Sequence, residues 1–404
     1  MGRRGGWTAA AGAMALTAAA AATAALATAV LTVVFARRVV TPEPIRRDDV
    51  RILSADLPRR EVRLAASDET RMHGSYGLWF DHDSGHARIG GIVGDDGRAV
   101  TRRIESVDFG RLDRAGSGRM SGWLHLGPWE ITEHYEDVVV GTPLGPAPAW
   151  LVRGGPSGAA SDAWIIQVHG RGAKRHEGLR AVRPALAAGW TSLLISFRND
   201  GEAPASTDRR YGLGGTEWAD VVAAVRFARA HGARRIVVMG WSMGGAIALQ
   251  AVLRSEAVRE SLVGVILDSP AIDWVDILRF QGRAMGLPSG LGSAVAHVLG
   301  EPWSGGLTGL AAPVDVTELD PIARADEFST PVLLMHSVDD GFVPIDGSRR
   351  FAAARPDLID FEVFDGARHT KLANHDPERW TALVRGTLER LAAATPEAAP
   401  AAGA

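Results

Sequence analysis

From Pro148 to Ala393 the chain alternates short apolar runs with helix-spaced segments, and this alternation constrains it more than any other feature. The runs AWLV, AWIIQVHG, TSLLISF, RIVVMGW, VGVILDS, PVLLMHS and DFEVFDG read as apolar strands. Between them, residues 178–188, 216–231, 243–254 and 378–393 repeat apolar side chains at helical spacing. The expected fold class is therefore α/β, a mostly parallel, doubly wound sheet with helices on both faces. In such sheets the active groups stand on loops at the carboxyl ends of strands.

Upstream the texture differs. Residues 50–147 hold short runs (EVRLAA, YGLWF, HARIGGIV, AVTRRIESV, GWLHL) separated by Gly, Asp and Ser turns, and read as a small antiparallel β-rich accessory region. Its DHDSGH segment places His82 and His86 close in sequence, but without thiolates or further spaced ligands it reads as a polar hairpin turn. No charge occurs from Trp7 to Ala36, with Arg3 and Arg4 before and Arg37 and Arg38 after, so a short tail (1–8) precedes a transmembrane signal-anchor helix at 9–36. A signal peptide cleaved near Ala27 to Ala29, releasing a secreted protein, is the alternative. Arginines on both flanks leave the membrane side of the following domain unassigned. TPEPIRRDD makes 37–49 a linker, and the low-complexity end, 394–404, reads as a disordered tail.

A net charge of -3, with arginines interspersed among acids, argues against a nucleic-acid partner. Cys 0 removes disulfides, thiolate metal sites and cysteine nucleophiles at once. No metal or nucleotide motif occurs, so no cofactor is expected, and nothing in the sequence fixes the oligomeric state.

The segment VMGWSMGGAIALQ sets an apolar strand against a small-residue helix with Ser242 at the joint. A Gly-x-Ser-x-Gly match alone means little in a chain with Gly 47, but a strand-turn-helix setting gives it a purpose. A serine raised on a sharp turn needs small neighbours, here Gly240, Gly244 and Gly245, and the Met243 N–H opens the helix where an oxyanion would form.

With these residues, 148–393 resembles the α/β-hydrolase superfamily of serine hydrolases, bacterial esterases and lipases among them. It is similar too to serine aminopeptidases and to prolyl-oligopeptidase-like catalytic domains. The resemblance implies an oxyanion loop after the third strand, found as IIQVHGRGAKR, with Arg171 giving the second backbone N–H beside that of Met243. It implies an acid after a later strand: LLMHSVDDGFVP offers Asp340 rather than Asp339, counting back from Val343 and Pro344. It implies a histidine after the last strand, His369 in FDGARHT, with His375 the later competitor. In that scheme His369 takes the proton of Ser242, Asp340 holds the imidazole, and the two N–H groups bind the oxyanion of an acyl-enzyme path.

The function this implies is cleavage of carboxylic esters, of small-molecule or lipid-like type, by a membrane-anchored enzyme. A serine peptidase of aminopeptidase or prolyl-oligopeptidase type, and a non-catalytic hydrolase-fold binding module, are the alternatives. An insertion at about 271–328 reads as a helical cap whose apolar residues either line an acyl pocket or pack the cap onto the sheet. Asn199 and Asp200 in SFRND are placed at the mouth of the site, and Thr216, with Glu217 and Asp220, is read as capping the next helix.

Overall fold

The computed structural model describes residues 5–43, 47–155, 158 and 161–393; the tail read at 394–404 lies outside them. The chain opens with helix α1 (Gly5–Val40). Six strands then close an antiparallel barrel: β1 (Val50–Asp56), β2 (Glu61–Ala65), β3 (Tyr76–Phe80), β4 (Gly85–Asp95), β5 (Ala99–Phe109) and β6 (Ser117–Ser121), in the order β1-β2-β5-β4-β3-β6. Inward-facing Val62, Leu64, Tyr76, Leu78, Phe80 and Ile89 fill it, which is why the period-2 runs were legible as strands. The run GWLHL is not a strand: the chain leaves β6 at Ser121, and Gly122 to Leu126 form an irregular segment.

The second domain is an eight-stranded sheet made of β7 (Tyr135–Thr142), β8 (Gly145–Val152), β9 (Ala163–Val168), β10 (Thr191–Ile195), β11 (Arg235–Trp241), β12 (Leu262–Asp268), β13 (Val332–Ser337) and β14 (Ile359–Phe364). Its order is β14-β13-β12-β11-β9-β10-β8-β7, with β9 to β14 parallel and the β7–β8 hairpin joined antiparallel to β10. This corrects the division at residue 147. β7 belongs to this sheet, at its edge, paired only with β8.

Helices α2 (Leu179–Ala187), α3 (Trp218–Ala230) and α4 (Met243–Arg254), with Pro377–Ala393, cover the two faces. The 271–328 insertion holds three α-helices, at Trp274–Ala284, Leu291–Gly300 and Gly305–Thr308, joined by irregular chain. Its Ile277, Leu278, Leu291 and Val295 enter the main core, so its apolar residues serve packing.

α1 ends inside that core as well. Phe35, Ala36, Val39 and Val40 are buried in the core of the second domain, while Leu26, Val30 and Val34 stay exposed. The helix therefore runs past 36 and the linker begins only after Val40, because Arg37 and Arg38 face solvent while the flanking apolar residues dock. Among the described residues it is the one helix long and apolar enough to cross a membrane.

Candidate active site

Ser242 stands between the end of β11 and the start of α4 with φ 52 and ψ -119, a strained conformation for a residue with a Cβ. The strain is held by close approach on both sides. A Cβ on Gly240 would run into the carbonyl of Gly244, and one on Gly244 into the carbonyl of Val168, so neither position admits a side chain without moving the turn. The Ser242 N–H is tied to the Asp268 carbonyl (3.1 Å), which fixes the turn against β12.

Three polar side chains from three strand ends meet here. His369 Nε2 lies 2.8 Å from Ser242 Oγ, and His369 Nδ1 lies 2.7 Å from Asp340 Oδ2. Asp340 follows β13 and is buried; its other oxygen accepts the N–H groups of Phe342 and Val343, both at 2.9 Å. Burial alone would raise the Asp340 pKa, but the charge of His369 and hydrogen bonds from His336 and His369 outweigh it and hold the carboxyl well below its usual range. Asp339 is exposed and accepts the Gly366 N–H instead (2.7 Å). His375 sits elsewhere, edge-on to His73 (6.3 Å) and against Gly366.

The Met243 N–H is one of the donors left unpaired at a helix start. On the β9 loop the Gly170 N–H is already given to Glu177 Oε2 (2.6 Å), so Arg171 carries the next N–H, and Arg171 lines the same cavity as Ser242. The Arg171 side chain turns the other way: Nε donates to the carbonyl of Val39 (2.9 Å), and Nη2 to those of Arg38 (2.7 Å) and Thr41 (3.0 Å).

Several expected neighbours land elsewhere. Asn199 and Asp200 line a separate, larger cavity, where Asp200 pairs with buried His169 (3.1 Å). Thr216 does not cap α3: Glu217 is the residue before the helix, fully buried, and its carboxylate gathers the N–H groups of Gly212 (2.7 Å) and Gly214 (2.9 Å). Asp220 takes a bidentate pair from Arg198 (2.9 and 2.7 Å). His82 and His86 do not share a site: His82 is exposed, and His86 is buried 2.7 Å from Asp108.

Two groups at the site were not singled out from the sequence. His336, at the end of β13, lies beneath the acid with Nε2 3.2 Å from Asp340 Oδ2 and Nδ1 2.7 Å from Ser348 Oγ; its place four residues before Asp340 was the available cue. The barrel supplies the other group. The cavity over Ser242, about 260 Å³, is lined by Met120, Ser121, Gly122 and Trp123 from the end of β6, and by no residue of 271–328 among those described. His176, stacked on Trp123 at 5.9 Å, is pushed down to about 4 by burial and so is neutral near pH 7.

Residues 163–296 match the family model described as alpha/beta hydrolase fold, and residues 51–121 match one described as a domain of unknown function (DUF8805). No curated protein sequence matches the chain. Among solved structures, an esterase from Pyrococcus furiosus is similar at 22% identity and TM-score 0.51, covering 66% of this chain and 94% of its own. Est1E from Butyrivibrio proteoclasticus, solved with ferulic acid bound, is similar at 18% identity and TM-score 0.50, covering 63% and 99%. The second domain has the α/β-hydrolase fold.

Proposed function

We propose that this α/β-hydrolase-fold chain is a membrane-anchored serine hydrolase that cleaves carboxylic esters through Ser242, His369 and Asp340. The observation that carries the reading is the continuous row from Asp340 through His369 to Ser242, at 2.7 and 2.8 Å, opening into a cavity. A neutral His369 receives the Ser242 proton as Oγ attacks the ester carbonyl. Ionised Asp340 fixes the tautomer with Nδ1–H toward itself and stabilises the imidazolium that forms. The N–H groups of Met243 and Arg171 receive the oxyanion. His369 then protonates the departing alcohol, and water, deprotonated by the same histidine, releases the acid.

Ester rather than peptide cleavage is favoured by the lining of the cavity. A site for a substrate amine needs free carboxylates, and the carboxylate there, Glu177, is already engaged by the Gly170 N–H and lies 3.6 Å from Arg180. Anchoring is supported by the uncharged length of α1 and by its exposed Leu26, Val30 and Val34. The test is hydrolysis of p-nitrophenyl esters by the full chain in detergent, beside Ser242→Ala. Ser242-dependent release of nitrophenol upholds the reading, and equal rates in both proteins refute it.

A further inference from the structure

The barrel has no role in the proton transfers above, yet it builds one wall of the cavity in which they occur. The irregular segment after β6 brings Trp123 over the Ser242 cavity, with Met120 beside it and Phe342 across from the β13 side. A second cavity of about 830 Å³ lies between the barrel and the catalytic domain, lined by Trp79 and Arg119 from the barrel and by Tyr211 and Asn199 from the sheet domain. Trp123 lines both cavities, and also a third of about 370 Å³ that shares Gly122 and Glu177 with the Ser242 cavity. Residues of the oxyanion loop alternate between them, Gly170, Arg171 and Ala173 toward Ser242 and Gly172 and Lys174 toward the larger space. The partition between the two is therefore one indole and one loop.

This wall is fixed in place. The segment that carries His369 is fastened to the barrel by Arg368 to Asp68 (3.0 Å), by Lys371 to Glu69, and by Asn374 Nδ2 to the carbonyls of Ser75 (2.9 Å) and Gly122 (3.1 Å). Trp123 is further stacked on His176, on the catalytic-domain side. An indole stacked on one domain, on a backbone whose neighbouring Gly122 carbonyl is bonded to that same domain, does not swing aside at low cost, so it sets a size limit.

We infer that the barrel is the specificity element of this enzyme and that Trp123 determines substrate length, confining the group bound at Ser242 to a short acyl or single-ring moiety by closing off the larger cavity. The inference rests on the ester-hydrolase reading for its substrate class, but the partition itself is independent of it. A cavity of about 260 Å³ falls just below the range of roughly 300–1,000 Å³ usual for small-molecule sites, which suits a short acyl chain or one ring and excludes a long chain. Removing the indole joins it to a space three times larger, and each methylene that then leaves water favours binding several-fold.

The experiment has two arms, both on the full chain in detergent. In the first, kcat/KM is measured for p-nitrophenyl butanoate and octanoate with wild type, Trp123→Phe and Trp123→Ala. The octanoate-to-butanoate ratio is expected to rise about tenfold or more in Trp123→Ala and by a smaller factor in the same direction in Trp123→Phe, which keeps a ring and carries the test if the alanine variant does not fold. An unchanged ratio in a folded variant overturns the inference, as does an equal loss on both esters. In the second arm, calorimetry measures octanoate and butanoate binding to Ser242→Ala with and without Trp123→Phe or Trp123→Ala. If wild type cleaves no ester, the hydrolase reading fails, while a gain confined to octanoate still upholds the partition and its absence overturns it.

Discussion

Arg171 and Val39, 132 residues apart, are joined by a 2.9 Å hydrogen bond from the guanidinium to the last turn of α1. The bond belongs to a set of three, with Arg38 and Thr41, and closes the carbonyl end of the helix that the helix itself leaves unpaired. The same residue lines the Ser242 cavity and carries the backbone N–H proposed for the oxyanion site, so the end of α1 braces the loop that would hold this donor. Arg171→Met is expected to lower unfolding free energy by about 1–3 kcal/mol, because three carbonyls lose a charged donor in a partly buried setting. Denaturant titration in detergent checks this. Deleting residues 1–41 should reproduce the loss, whereas deleting 1–30, which leaves the docked turns, should recover most of it.

The two adjacent acids separate cleanly. Asp340→Asn leaves the shape of the site but gives His369 the wrong tautomer, and kcat is expected to fall about 10⁴-fold. Asp339→Asn, which alters an exposed carboxylate bonded to the Gly366 N–H, is expected to change kcat less than about fivefold. Steady-state kinetics on one short ester distinguishes the two.

What was legible and what was not follow from where the information lies. Ser242, Asp340 and His369 could be located because each comes directly after an apolar strand, with glycines or a Val-Pro pair marking the turn, and such cues are local. Trp123 had no such cue: its relation to Ser242 spans two domains, and GWLHL looked like one more strand. β7 was not read as a strand because Glu136 and Asp137 come early in it and its apolar run is only Val138 to Val140. The insertion at 271–328 drew attention through its length, but its Ile277, Leu278 and Val295 answer to the core, not to the cavity.

Acid should weaken the fold partly through Asp340. Its carboxyl sits below its usual range in the folded chain, so its contribution is complete above the unfolded value of about 3.9 and is lost as pH falls through that value toward the folded one. The stability advantage of wild type over Asp340→Asn is expected to shrink as pH falls below about 5. Denaturant titrations at pH 5, 4 and 3 measure it; an advantage that grew over this range would contradict the assignment.

The turn at Ser242 should tolerate no added atom. Gly244→Ala directs a methyl group into the Val168 carbonyl, and a loss of about 1–3 kcal/mol or more is expected, together with loss of activity as the serine moves. Gly306→Ala, where a Cβ meets nothing within 4 Å, is the matched control and is expected to leave both unchanged.

The row of Asp340, His369 and Ser242 is tested most directly by one comparison: p-nitrophenyl butanoate hydrolysis by the full chain and by Ser242→Ala, at equal concentration and with folding verified by circular dichroism. The account predicts turnover by wild type and a fall of about 10⁴-fold or more in the variant, since Oγ is the attacking atom. Turnover that survives in Ser242→Ala would contradict it.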